Sequence, residues 1–402
     1  MPPVTACLSA NAPYPKRLSH AHALWLKASI LVTFLAASSA PSPLYAIYRE
    51  AWGFSALTLT VVFSSYAFAM LAALLVFGAL SDHRGRREVV LAALVLEFAA
   101  VLLFWRAESV VWLLAARVLQ GVATGIAMSA LSAGLLDLHR ERGALVNSVA
   151  PMIGLGVGAL GTSVLVQFAP APTKLVFDLL LLVFALQTLA AFYLPETAER
   201  RTGAWRSLMP SISIPAQART TLWQVLPVNT AQWALGGFYL SLGPTLARIV
   251  TGNEAPVVGG ALIAALVLSS VVAILLVRKR APRSALVAGA TALAIGVGVT
   301  LAGMQLHSTA AFFAGTVIAG LGFGAALTGS MRSLVPLAAP HERAGLMSSF
   351  FVLSYLAFSL PAIAAGLFAG YFGLQSTAVG YGFALVAMAG AALLALARRT
   401  GA

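Results

Sequence analysis

Apolar residues in this chain run in stretches of about twenty, parted by short segments where charge, Gly and Pro collect. A helix crosses the ~30 Å hydrocarbon core of a bilayer with roughly 20 residues. Stretches of that length lie near 24–46, 57–80, 88–105, 109–136, 144–168 and 173–194, and again near 222–246, 256–277, 284–304, 309–331, 344–369 and 374–397. The pattern predicts an all-α integral membrane protein of twelve transmembrane helices. The one extended polar stretch, 195–221, holds Arg200, Arg201, Arg206, Arg219, Pro210 and Pro215 and divides the spans six and six. The expected organisation is an N-terminal tail (1–23), a six-helix bundle (24–194), a linker (195–221), a second six-helix bundle (222–397) and a C-terminal tail (398–402).

Composition agrees with that pattern. The chain is 60% hydrophobic and 9% charged, with mean hydropathy +0.91, whereas soluble domains are nearer ~45–50% apolar and ~25% charged. A net charge of +13 and a pI near 10.6 would ordinarily raise nucleic acid as a partner. The placement of the charges answers otherwise. With the N-terminus in the cytoplasm, only Arg49, Arg106, Lys174 and Arg248 fall outside, and Arg117 falls within a span; every other Lys and Arg lies at a cytoplasmic end or loop. The positive-inside rule asks for that bias. The expected setting is a cell inner membrane, multi-pass, with both termini cytoplasmic and no nucleic-acid partner. Lys16 and Arg17 ahead of an apolar run ending in Ala36-Ala37-Ser38-Ser39-Ala40 mimic a cleavable signal. That run is too long for a signal core, and cleavage would leave an odd number of spans, so the segment is taken as the first span.

Cys7 is the single cysteine, so no intramolecular disulfide and no metal-ligand spacing exists. His83, His139, His307 and His341 belong to separate loops or span ends. No cluster of His, Asp, Glu or Cys marks a membrane enzyme, and no cofactor or metal is expected.

The halves repeat one another. Glu141-Arg142 followed by Leu145 and Ser148 recurs as Glu342-Arg343 followed by Leu346 and Ser349, at the separation that also relates Pro43 to Pro244. Gly121 and Gly125 in span four are echoed by Gly320 and Gly324 in span ten. Two six-span halves are a transporter architecture, with substrate near the midplane at their interface.

Between spans two and three lies Gly78-Ala79-Leu80-Ser81-Asp82-His83-Arg84-Gly85-Arg86-Arg87. In a chain this poor in charge, one acid and three arginines between two glycines form a charged hinge. Arginines at a cytoplasmic helix end serve as topology anchors, but an acid adds nothing to anchoring. This run resembles the loop signature of the major facilitator superfamily. Arg117-Val118-Leu119-Gln120-Gly121 resembles the family's fourth-helix signature, and Pro195-Glu196-Thr197 resembles its ending of span six. The similarity covers the chain from about residue 24.

The resemblance implies a latch, in which Asp82, Arg84, Arg86 and Arg87 of the loop engage Asp137 at the end of span four and the start of span eleven. Such a latch biases the inward-closed state. His83 departs from the pattern, which has Arg or Lys there; histidine titrates near neutrality, so the latch is expected to be weaker or pH-sensitive. Gly154, Gly158 and Gly161 in span five resemble the family's antiporter signature by place and spacing, with Ala159 where Pro is expected. Gly154 and Gly158 also share a face suited to close helix packing, and both readings stand.

Three sites carry candidate chemistry. Arg117, about a third of the way into span four, costs several kcal/mol unless paired or facing a cavity. It is either an interhelical hydrogen-bond donor or a cavity cation for an anionic substrate or a nearby carboxylate, with Gln120 and Thr124 extending its stripe. Glu97, some nine residues into span three, comes within several Å of the same depth at ~1.5 Å per residue; a structural pair with Arg117 and a proton carrier are the two readings. Asp178 and Lys174 are spaced as a helical i,i+4 pair, structural or coupling. A polar-aromatic surface is offered by Ser38, Ser39, Ser42 and Tyr45 (span one), Asn229, Gln232, Trp233 and Tyr239 (span seven) and Ser354 and Tyr355 (span eleven). The resemblance places helices one, four, seven and ten around the cavity. The functional expectation is a secondary transporter working by alternating access, a monomer that moves a small amphiphilic molecule outward against protons. Uptake or facilitated diffusion of a sugar or organic acid is the alternative, and a non-transporting receptor or scaffold is a third class.

Overall fold

The computed structural model of the protein describes residues 17–199, 202–339 and 341–397. Cys7, Lys16, Arg200, Arg201, the tail at 398–402 and most of the N-terminal tail lie outside the described residues. Those described are helical apart from short connections, and no strand occurs among them. Lipid dictates this, because a backbone that cannot bond to water must satisfy its own N–H and C=O groups within the segment.

The first half comprises α1 (His20–Ser39) with α2 (Pro41–Trp52), α3 (Ala56–Phe77), the short loop helix α4 (Leu80–Arg84), α5 (Arg86–Trp105), α6 (Val110–Leu138), α7 (Arg140–Phe168) and α8 (Leu175–Ala191). The second comprises α9 (Ala216–Ser241) with α10 (Gly243–Thr251), α11 (Pro256–Val277), α12 (Pro282–Gln305), α13 (Thr309–Leu334), α14 (Arg343–Phe372) and α15 (Leu374–Ala397). Among the described residues, ten segments are long and apolar enough to cross a bilayer. The 17-residue α8 and α9, diluted by Gln217, Gln224, Asn229 and Gln232, complete twelve. The first span of each half outruns its expected end, to Trp52 and Thr251, and α9 begins at Ala216, within the stretch expected as linker.

Both first spans break at matching places. Span one breaks at Ala40, ahead of Pro41-Ser42-Pro43, and span seven at Leu242, ahead of Gly243-Pro244. Proline removes one i→i−4 bond and clashes with the preceding turn, so the helix is interrupted there. Each outer piece closes on a glycine in the left-handed region, Gly53 at φ 65° and Gly252 at φ 64°. The duplication legible in the sequence thus recurs as a duplicated break.

Small residues set the helix contacts. A Cβ on Gly125 would come 2.7 Å from the Ala73 side chain, so α6 lies against α3 through Gly121 and Gly125. Gly320 and Gly324 do the same for α13 against α11, where a Cβ on Gly324 would sit 2.9 Å from Ser270 Cα. In α7, Gly154 and Gly158 press on α1, and Gly156 faces Leu268 of α11 across the boundary between halves. Gly161 has open space where a Cβ would point. It takes no part in the packing expected of it.

The halves meet along two seams, α7 on α11 and α3 on α14, and where α2 touches α10. That last contact lies on the face opposite the one holding Asp82, Asp137 and the linker, called here the basic face. Gly158→Leu would drive a side chain into the Ala36 carbonyl and Ser39 hydroxyl. Overpacking of this kind costs ~1–3 kcal/mol, and the variant should melt several degrees lower in detergent, whereas Gly161→Leu should melt like the parent.

Candidate functional site

Three polar constellations stand out against this apolar frame. The first surrounds Arg117, which is fully buried at the centre of the first half. Its Nε donates to the Tyr45 hydroxyl (2.5 Å), and its Nη1 donates to the Ser38 carbonyl (2.6 Å) and to Gln120 Oε1 (2.8 Å). The Gln120 amide in turn donates to Glu97 Oε1 (3.0 Å). Charge at both ends of this chain is relayed through an amide, and no direct ion pair joins Glu97 to Arg117 among the described residues, so the expected pair is corrected to a triad. Around the guanidinium stand the rings of Tyr45, Phe63, Tyr66 and Phe104, with centroids 5.4–5.9 Å from its central carbon. Such contacts contribute ~2 kcal/mol or more when desolvated. Every partner comes from the first half. Arg117 is thus enclosed by its own half, with Nη2 the one guanidinium nitrogen left without a hydrogen-bond partner. Thr124 donates to the Gln120 carbonyl within its own helix (2.8 Å), and Gly121 serves packing.

The second constellation lies on the basic face. Gly85 adopts φ 105° and ψ 143°, a conformation open to Gly alone, and it turns the chain from α4 into α5. The first N–H groups of a helix have no partner inside it. Here the carboxylate of Glu196 takes them: Arg86 N–H donates to Oε1 (2.7 Å) and Arg87 N–H to Oε2 (3.1 Å). A Cβ on Gly85 would sit 2.6 Å from that carboxylate. Arg86 pairs with Asp82 (2.5 Å) and Asp137 (3.2 Å) and donates to Ser81 Oγ (2.6 Å). Thr197 Oγ1 donates to the same Asp137 oxygen (3.0 Å). The loop signature, the end of span four and the end of span six thus form one knot. Of the expected latch residues, Gly78 caps α3, Arg84 is exposed, and His83 Nδ1 lies 3.1 Å from the Thr202 carbonyl.

That last contact continues into the linker. The single turn Arg206–Leu208 packs on α3 and α4. Ser213 N–H donates to the Gly345 carbonyl (3.3 Å), and Ser349 Oγ donates to the Ser213 carbonyl (3.1 Å). The linker thus contacts both the loop at His83 and the start of span eleven.

The third constellation lies between the halves. Met70 and Met128 face Trp233, Phe351, Tyr355 and Phe358 in one cluster. Trp233 sits 5.1 Å from the Tyr355 ring and 5.9 Å from that of Phe358, and the Tyr355 hydroxyl donates to Met70 Sδ across the seam (3.3 Å). Beside them Gln232 donates to Asn229 Oδ1 (3.0 Å), and Asn229 donates to Ser354 Oγ (2.9 Å). Trp233 Nε1 and Gln232 Oε1 are buried with no hydrogen-bond partner.

The other expected residues lie apart. Ser39 donates to the Leu155 carbonyl (2.8 Å) and holds α1 on α7, and Tyr239 bonds Thr316 within the second half (3.1 Å). Lys174 Nζ turns to the Trp105 carbonyl and lies 4.7 Å over its ring. It does not pair with Asp178, which is exposed in the first turn of α8, where a carboxylate complements the helix dipole.

Lys27 is the residue that sequence reasoning misplaced. It was grouped with the solvated basic ends, yet it is fully buried, and its amine has no hydrogen-bond partner. It lies against Gly134 of α6, one turn from Asp137. Its signal was present, a lysine flanked on both sides by apolar residues. Glu50 and Arg248 were missed as well. They pair across the halves at 3.6 Å on the face opposite the knot, and Arg248 also reaches Glu254 at 3.4 Å.

The sequence model of the Major Facilitator Superfamily matches residues 28–252. No curated protein sequence matches the chain. Among solved structures, a bacterial homologue of the human lysosomal transporter Spinster, inward-facing and unoccupied, superposes with a TM-score of 0.75 at 16% identity, covering 94% of this chain and 97% of the other. A point mutant of the nucleoside transporter NupG gives 0.73 at 13% identity, covering 93% and 99%. The human organic anion transporter MFSD10 gives 0.62 at 18% identity, covering 94% and 100%. At these identities the likeness is one of fold.

Arg117→Met would leave the Tyr45 hydroxyl, the Ser38 carbonyl and the Gln120 amide without their donor and the Glu97 carboxyl without a counter-charge. Each buried group left without its partner costs ~1–3 kcal/mol, so the variant should lose its monodisperse profile in size-exclusion chromatography. Gly85→Ala should raise hydrogen exchange at Arg86 and Arg87, since strain of this kind costs ~1–3 kcal/mol. Unchanged exchange there would contradict the account of the clamp.

Proposed function

Because the chain belongs to the major facilitator superfamily, we propose that it is an alternating-access secondary transporter of the inner membrane, exporting a small amphiphilic molecule in exchange for protons. It spans the membrane many times and is a transporter rather than an enzyme. The observation that supports the amphiphilic cargo is the aromatic and methionine cluster between the halves. Aromatic and methionine side chains from both sides adapt to varied apolar shapes. The unspent Trp233 N–H and Gln232 carbonyl supply one donor and one acceptor beside them. A buried polar atom without a partner costs ~1–3 kcal/mol, a cost that a ligand bearing the complementary groups removes.

The conformation fits the same cycle. The halves touch where α2 meets α10 and are pinned there by Glu50–Arg248. Among the described residues, neither α6 nor α7 packs broadly on α13 or α14 toward the basic face. With the basic face cytoplasmic, as the positive-inside rule directs, this is the state open to the cytoplasm. The knot at Asp82, Arg86 and Asp137 stays within the first half in this state, and the strap from Thr202 to Ser213 carries its position to span eleven. A shift of a few kcal/mol in that linkage suffices to exchange the major and minor conformations.

Glu97 supports the proton coupling, as the one acid at mid-span among the described residues, with Oε2 unpartnered. Its triad touches spans one, three and four, so a change in its protonation reaches the helices that must tilt. The neutral amide patch of Asn229 and Gln232 also suits the hydroxyls of a sugar, which keeps facilitated diffusion as the second reading.

Proteoliposomes holding a pH gradient separate the two. Uptake of a fluorescent amphiphile should follow the gradient, and Glu97→Gln should uncouple it while retaining binding. Trp233→Ala and Tyr355→Ala should weaken binding about tenfold, the ~1.4 kcal/mol scale of a lost aromatic anchor. Transport indifferent to the gradient would remove antiport and favour the sugar reading.

A further inference from the structure

A cavity of about 630 Å³ lies outside all three constellations, between α9, α14 and α15. Its volume falls within the ~300–1,000 Å³ of sites that hold drug-sized ligands. One wall carries Pro361, Phe368 and Phe372 of α14, and the other Gly380, Ala384 and Met388 of α15. These positions recur at helical spacing along one side of each helix, so the cavity is a slot parallel to the helix axes. From Pro361 to Phe372 it is about 16 Å long at ~1.5 Å per residue. That is close to half the ~30 Å hydrocarbon core, the depth of a single leaflet.

Polarity is graded along the slot. Inside it, the Tyr381 hydroxyl donates to the Ala234 carbonyl (2.8 Å), and at its mouth the Thr377 hydroxyl donates to the Gly373 carbonyl (2.8 Å). Both side chains have spent their donors on backbone. The remaining polar group, Ser376, is exposed at the mouth, beside the turn that joins α14 to α15. A ligand here meets hydrocarbon along the slot and a hydroxyl at its end. Phe368 and Phe372, ring centroids 6.2 Å apart, are 49% and 68% exposed on the outer surface of the helices, which in a span faces lipid, so the slot opens sideways.

We propose that this slot is a binding site for one acyl chain of a phospholipid from the leaflet opposite the basic face, with the head group at Ser376. The length, the axial direction, the satisfied interior polar groups and the sideways opening together match a chain that lies along the membrane normal. A compact cargo molecule has no need of a slot one leaflet deep. Burial of each methylene contributes ~0.8 kcal/mol in water, but bulk lipid offers the same hydrocarbon. Occupancy therefore rests on shape fit and on relieving a void between helices.

The test uses the full-length protein in liposomes of phosphatidylglycerol bearing a diazirine either near the acyl ester or at the chain terminus, followed by photolysis and peptide mass spectrometry. The terminal probe should mark residues near Pro361 and Met388, and the ester-proximal probe residues near Phe372 and Ser376. Each yield should be about tenfold above that on the lipid-facing Leu182, Leu186 and Leu189 of α8, a ratio equivalent to 1.4 kcal/mol of preference. Gly380 has open space where its Cβ would point, so Gly380→Leu fills the slot without a backbone clash and should return labelling to the α8 level. Gly390, equally open but outside the slot, provides the control Gly390→Leu, which should label like the parent. Uniform labelling, loss of the depth order, or labelling unchanged by Gly380→Leu would overturn the proposal. So would enrichment by a short aromatic amphiphile carrying the same diazirine but not by the phospholipid, since that assigns the slot to cargo.

Discussion

The first half is organised around the buried guanidinium of Arg117. Arg117 cannot be solvated where it lies, and its satisfaction requires Tyr45 and Ser38 from span one, Gln120 from its own helix and, through that amide, Glu97 from span three. Rings from spans one, two and three close around it. Helices in lipid gain little from hydrophobic association, because the surrounding tails are as apolar as the side chains. A polar knot that is costly to break therefore fixes the relative rotation of four helices more firmly than apolar packing does.

The second half solves the same problem without charge. By the alignment of Gly121 with Gly320, Thr316 occupies the place of Arg117, and its hydroxyl meets Tyr239. The asymmetry extends to the basic face. There the first half has Arg86 among two acids, whereas Arg332 donates to the Val277 and Arg280 carbonyls (3.3 and 2.7 Å). Duplication preserved the packing glycines and the broken first helices, while the buried mid-span Arg and Glu stayed with one copy. Under the proposed function, proton-sensitive behaviour is accordingly expected from the first half, while Trp233, Phe351, Tyr355 and Phe358 of the second supply most of the aromatic side chains in the cluster between the halves.

Twelve spans, the six-and-six division and the basic face were legible because they depend on local quantities, namely apolar run length and charge position. The paired breaks at Ala40 and Leu242 were half legible: Pro43 and Pro244 were noticed as a repeat, but their effect depends on how the restarted helix packs. Glu97 and Arg117 meet through Gln120 rather than directly, which depth counting could not foresee because it ignores which way each helix is rotated. Lys27 was misplaced for the same reason. Charge at a span end is solvated or buried according to the neighbouring helices, and Gly134 of α6 makes room for it. Glu196 was recognised by its motif without a partner, which emerged only when the turn at Gly85 brought two unpaired N–H groups to its carboxylate.

The broken helices have one more implication. Glu50 and Arg248 ride on α2 and α10, beyond the breaks, while Asn229, Gln232 and Trp233 sit on α9, before the second one. Under the proposed function, the piece that would seal one side of the membrane, α10, is joined to the piece that would grip the cargo, α9, through a proline-weakened turn. Selectivity and gating are then separable inheritances: sequence change on the outer segments can alter how often the seal parts while leaving untouched what the aromatic cluster recognises. A lineage could retune turnover to a new membrane potential or temperature without relearning its substrate.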